Sequence, residues 1–100
     1  MTTLQNFVDG EYVQSLADKA LDVVEPATGI TYAQAPISNA AEVHAAFKSA
    51  ARAFEVWGQS TPGERQLALL KIADAIEARS EEIVSVESRD TGKPLAAVRG

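Results

Sequence analysis

The sequence predicts a mostly helical α+β segment, two short β pairs followed by a run of amphipathic helices. Three observations carry that reading. Asp9-Gly10 stands between apolar residues in "NFVDGEYV". The apolar spacing changes to intervals of three and four after Asn39. Two helix-start signatures, Asn39 with Glu42 and Thr61 with Glu64, fall where that spacing begins and resumes.

Asp-Gly supplies the positive backbone angles of a two-residue hairpin turn. Phe7-Val8 is therefore expected to pair with Tyr12-Val13 in a hairpin over residues 5–14. A lone hairpin is at best marginally stable in water and must lean on another element. After a looser stretch at 14–21, a second β pair is expected over 22–36, with Val23-Val24 and Ile30-Thr31-Tyr32-Ala33 as its strands. Pro26 and Gly29 punctuate the turn between them. A residue before proline avoids the helical region, so Glu25 is expected to be extended.

Helices are expected over 39–100. Ala40, Val43, Phe47, Ala50, Phe54 and Trp57 share one face of the first, which a capping box at Asn39 and Glu42 opens and Gly58 is placed to end. Trp57 reads as a core anchor. In "STPGER", Thr61 caps the second helix, Pro62 takes its first position and Glu64 completes the box. Leu69, Ile72, Ala73 and Ile76 form its apolar stripe. Ser80 is the expected cap of a third helix, with Glu81 and Glu82 in the first turn, where the helix dipole favours acids. Ile83 and Val86 continue the buried side, and Gly92 stops the helix. Pro94 can open a fourth, "PLAAVRG", too short to be stable alone.

Composition narrows the function. One hundred residues make one small domain or a piece of a larger one, and 46% apolar with 23% charged residues is ordinary for a soluble globular chain. A net charge of −5, without a basic run, gives no electrostatic reason to expect nucleic acid or an anionic membrane as partner. The absence of cysteine excludes disulfides, thiolate metal sites and a cysteine nucleophile within these residues. The start, "MTTLQNFVDG", lacks the positive charge and apolar run of a signal peptide, and no apolar run is long enough to span a membrane, so a cytoplasmic protein is expected.

Catalytic constellations are missing. The glycines at 10, 29, 58, 63, 92 and 100 form no phosphate loop. The single histidine, His44, lies beside the first helix's apolar stripe and reads as a solvated surface residue. Glu77, Glu81 and Glu82 with Arg79 read as a solvated helix face, whose exposed pairs contribute about 0–1 kcal/mol each. One residue does not fit this bland picture. Asp90, in "VESRDTGKPL", sits in the last turn of the third helix, an end that already carries about −0.5 of an elementary charge.

Taken together, "NFVDGEYV", "VVEPATG", "AARAFEVW", "TPGER" and "ESRDTGKP", in this order and at these separations, resemble the N-terminal portion of NAD(P)-dependent aldehyde dehydrogenases over nearly the whole chain. "WGQSTPGERQLALLKIAD" with "ESRDTGKPL" looks most similar to the aminobutyraldehyde and betaine-aldehyde branch. The resemblance implies an α/β fold, with residues 1–100 forming the N-terminal part of an NAD(P)-binding domain and the catalytic and oligomerisation regions lying outside this sequence. It implies an oxidoreductase that turns an aldehyde into a carboxylic acid through a cysteine thiohemiacetal and thioester. NAD is the expected cofactor, NADP the alternative, and homodimers or homotetramers the expected assembly. It also implies a structural monovalent cation, sodium or potassium. Carried over by position, its ligands are the backbone carbonyls of Val23 and Val24 and the carboxylate of Asp90, with a further carbonyl from beyond residue 100. Oxygen ligands suit a hard cation, whose charge would offset an acid set against a helix dipole.

Two other readings stay open. One is a non-catalytic helical interaction module complete at 100 residues; the other is a truncated or degenerate homologue retained for subunit contacts.

Overall fold

The computed structural model describes residues 2–100, which group into two compact units, 2–24 with 31–59 and 25–30 with 60–100. Strands and helices follow one another as the sequence predicts, with one strand added at the start.

That added strand, β1 (Thr2–Thr3), is followed by a hairpin of β2 (Asn6–Val8) and β3 (Glu11–Val13). The hairpin register sets Asn6 opposite Val13, Phe7 opposite Tyr12 and Val8 opposite Glu11. Asp9 and Gly10 both take positive φ, 55° and 78°, which matches the turn to the twist of its strands. Phe7 and Tyr12 meet edge to face with ring centroids 5.1 Å apart, a geometry worth about 0.5–1.5 kcal/mol beyond area burial. The hairpin does lean on its surroundings. Asn6 Nδ2 donates to Ser38 Oγ at 2.8 Å, and the Arg52 guanidinium lies 3.8 Å from the Asp9 carboxylate.

Strands β4 (Ala20–Glu25) and β5 (Ile30–Pro36) are neighbours in a three-stranded sheet of order β1-β5-β4. Glu25 is extended, as its place before proline requires, and closes β4. Strand β1 pairs parallel with β5, Thr2 opposite Ala33 and Thr3 opposite Gln34, and the Leu4 N–H donates to the Gln34 carbonyl at 2.7 Å. Ala33, within this pairing, is only 2% exposed and is the buried hydrophobic residue among those described.

Helix α1 (Ala40–Trp57) opens on the expected capping box. Asn39 Oδ1 accepts from the Glu42 N–H at 2.9 Å, and Glu42 Oε1 accepts from the Asn39 N–H at 3.3 Å. The same carboxylate oxygen accepts from the Ser15 hydroxyl at 2.9 Å, so one glutamate caps the helix and ties down the segment after the hairpin. Gly58 ends α1 in ordinary right-handed geometry, φ −63°. Glycine is needed there for space, because a Cβ would lie 2.7 Å from the Phe54 carbonyl oxygen.

In the second unit, α2 (Pro62–Ala78) starts on the Thr61–Glu64 box with Pro62 in its first turn. Helix α3 (Ser80–Thr91) follows after a single joint residue, Arg79, and α4 (Leu95–Arg99) ends the chain. Two helix starts differ from expectation by one residue. Ser80 is the first residue of α3 and not its cap, because Arg79 breaks the helical path at φ −114°, ψ 23°. Its guanidinium forks onto Glu82 at 2.8 and 2.6 Å, holding the first turn in place of a hydroxyl cap. Pro94 is likewise the cap of α4, its ψ of 143° being extended, and its carbonyl accepts from Ala97 and Val98 at 2.9 and 3.1 Å. Arg99 Nη2 donates to Glu81 Oε2 at 2.9 Å and ties α4 to α3.

The larger correction concerns burial. Phe47 is 72% exposed, Phe54 68% and Trp57 48%, so Trp57 is no core anchor within these residues. Leu69, Ile72, Ile76, Ile83 and Val86 are exposed too. Helix α1 packs on a different face from its apolar stripe. On α1 the half-buried residues are Glu42, Ala46 and Ser49, about a third of a turn round from Phe47 and Phe54 at ~100° per residue. His44, Glu77, Glu81, Glu82 and Arg79 are exposed, as expected.

Candidate functional site

The second unit sets the turn at 25–30 against the C-terminal end of α3. Two punctuated motifs, Pro-Ala-Thr-Gly and Asp-Thr-Gly-Lys, meet there. Glu25 winds the turn, its carbonyl accepting from the N–H groups of Thr28 and Gly29 at 3.3 and 2.8 Å. The Thr28 hydroxyl donates to Glu25 Oε2 at 3.0 Å and accepts from the Ile30 N–H at 3.2 Å.

The helix end is knotted in a similar way. Gly92 takes the left-handed conformation, φ 76°, and its N–H donates to the Ser88 carbonyl at 2.9 Å. The Thr91 hydroxyl donates to the Glu87 carbonyl at 2.8 Å and accepts from the Lys93 N–H at 3.2 Å. The Ser88 hydroxyl donates to the Lys93 carbonyl at 2.6 Å. These bonds satisfy carbonyls that a helix C-terminus leaves without partners. Two contacts join turn and helix. A Cβ on Gly92 would lie 3.0 Å from the Cβ of Pro26, and Arg89 Nε lies 3.8 Å from Glu25 Oε1. Around them is an open depression lined by Glu25, Ser85, Ser88, Arg89 and Lys93, among others.

Of the three expected cation ligands, Asp90 lies in the last turn of α3 and is exposed, while Val23 and Val24 lie in β4. Among the described residues, no group of three or more His, Cys, Asp or Glu could hold a metal ion. A donor set of carbonyl oxygens and one carboxylate instead suits a hard ion. Successive carbonyls of an extended strand point to opposite edges, and β4 is at the edge of its sheet. Only one of Val23 and Val24 therefore turns its carbonyl away from β5.

Sequence reasoning missed the Glu25–Arg89 and Pro26–Gly92 contacts. Proline and glycine marked both segments as turns, but nothing in the local pattern says that the two turns meet.

The aldehyde dehydrogenase family model matches residues 12–100. The chain is 42% identical over 96 residues to the 2-aminomuconic semialdehyde dehydrogenase of Danio rerio, covering 96% of this chain and 19% of that protein. It is 38% identical over 97 residues to the malonate-semialdehyde dehydrogenase of Listeria monocytogenes serotype 4a (strain HCC23), covering 97% and 20%. The crystal structure of PnpE in complex with nicotinamide adenine dinucleotide superposes with a TM-score of 0.90 at 38% identity, over 100% of this chain and 20% of that one. The fold is thus shared over the whole chain with a solved protein 38% identical to it. The chain belongs to the aldehyde dehydrogenase family. It spans about a fifth of the length of the curated relatives it matches.

Proposed function

We propose that the full-length gene product oxidises a small aldehyde to a carboxylic acid with NAD, and that residues 1–100 are the N-terminal part of its NAD(P)-binding domain. The observation that carries this reading is the family match across residues 12–100. The reaction balances simply: the aldehyde carbon gives a hydride to the nicotinamide, water supplies the second oxygen of the acid, and a proton is released. These residues contain no cysteine, so the nucleophile of a thioester route would come from elsewhere in the gene product. What they contribute is scaffold, the hairpin, the small sheet and the outer helices. The reading takes the assembly to be a homodimer or homotetramer in the cytoplasm.

The substrate is a semialdehyde that also carries a carboxylate, a class supported by the names of the two relatives above. The aminobutyraldehyde and betaine-aldehyde alternative rests on the look of "WGQSTPGERQLALLKIAD" and "ESRDTGKPL". For the monovalent cation, sodium or potassium, the proposed ligands are the carbonyls of Val23 and Val24 and the carboxylate of Asp90. The support is the donor chemistry and the place of Asp90 at a helix C-terminus.

The test is turnover by the full-length gene product. With NAD present, absorbance of the reduced cofactor is followed over malonate semialdehyde, 2-aminomuconic semialdehyde, 4-aminobutyraldehyde, betaine aldehyde and acetaldehyde. The highest kcat/KM is expected on a carboxylate-bearing aldehyde. A preference for the aminoaldehydes would return the substrate to the other branch, and no reduction of NAD with any aldehyde would overturn the enzymatic reading.

A further inference from the structure

We draw no further inference here: the strongest candidate, the exposed apolar face of α1 that carries Val43, Phe47 and Phe54, carries nothing because nothing in the structure shows what covers it.

Discussion

Gly92 and Pro26 approach so closely that a Cβ on Gly92 would lie 3.0 Å from the Cβ of Pro26. Gly92 also has φ 76°, so two separate penalties meet at one position. A left-handed backbone costs a non-glycine residue about 1–2 kcal/mol, and the close contact adds to that. Gly92→Ala is expected to lower the thermal midpoint of the full-length protein. Pro26→Gly removes the crowding atom, so the double variant should recover the contact part of the loss and keep the backbone part. Strict additivity of the two changes in a double-mutant cycle would show that the Pro26 contact contributes nothing.

Glu42 joins three segments through one carboxylate, capping α1 at Asn39 and accepting from Ser15. Loss of an N-cap partner costs about 0.5–2 kcal/mol. Asn39→Ala should fall in that range, and so should Thr61→Ala at the start of α2. Glu42→Ala should cost more than Asn39→Ala, since it also releases Ser15, whereas Glu42→Gln should retain much of the box because an amide oxygen can still accept. Chemical-denaturation midpoints of the four variants give the ranking. If Glu42→Gln proves as damaging as Glu42→Ala, charge and not hydrogen bonding holds the junction.

The Arg79 fork holds the Glu82 carboxyl below its ordinary value of 4.5, first through the hydrogen bonds and then through the charge of the guanidinium. The sign follows from linkage. A carboxylate depressed in the folded state stabilises the fold above its unfolded pKa, and that contribution is lost as pH falls through the lowered folded value. Carboxyl chemical shifts across an acid titration should place Glu82 below 4.5, and Arg79→Gln should return it upward. Both groups are well exposed, so the overall stability of the protein should hardly respond.

How much of this was legible depends on distance along the chain. The hairpin turn, both capping boxes and the helix stop at Gly92 are written within four or five residues, and the sequence predicts each of them. Strand β1 is invisible because two threonines have no alternation to read and the strand's partner is β5, far along the chain. The one-residue shifts at Ser80 and Pro94 arise because Arg79 and Pro94 already leave the helical region, a backbone outcome that residue type alone does not fix. The apolar stripes were read correctly as stripes, but the burial expected of Trp57, Ile83 and Val86 is not found within these residues. Periodicity identifies which face is greasy without saying what lies against it. For the candidate site, residue types pointed to Asp90, yet the contacts of Pro26 with Gly92 and of Glu25 with Arg89 depend on tertiary placement.

Exposure of Phe47 at 72%, Phe54 at 68% and Leu69 at 64% has a direct consequence for residues 1–100 expressed alone. Large contiguous apolar surface promotes association. The isolated segment is expected to bind a hydrophobic dye, to sediment as aggregates and to lack a sharp unfolding transition. Phe47→Ser with Phe54→Ser should improve its solubility while lowering the stability of the full-length protein, if those rings are covered there. A compact, monomeric and cooperatively unfolding segment would instead favour the self-contained interaction module.

Asp90 gives the sharpest test of the proposed cation because the two alternatives predict different dependence on the buffer cation. An acid in the last turn of a helix opposes the dipole by about 0.3–1 kcal/mol. Without a bound ion, Asp90→Asn changes only the helix-dipole term and the local interactions of the carboxylate, so its effect on the thermal midpoint should not depend on which monovalent cation the buffer holds. With sodium or potassium held by the carboxylate, the same change removes the ion's main counter-charge and should lower the midpoint. The loss should be largest in sodium or potassium buffer and should shrink when a bulky organic cation replaces them at equal ionic strength. Asp90→Ala should follow the same salt pattern. Equal midpoint changes in every buffer would eliminate the ion and leave Asp90 with a purely local structural role.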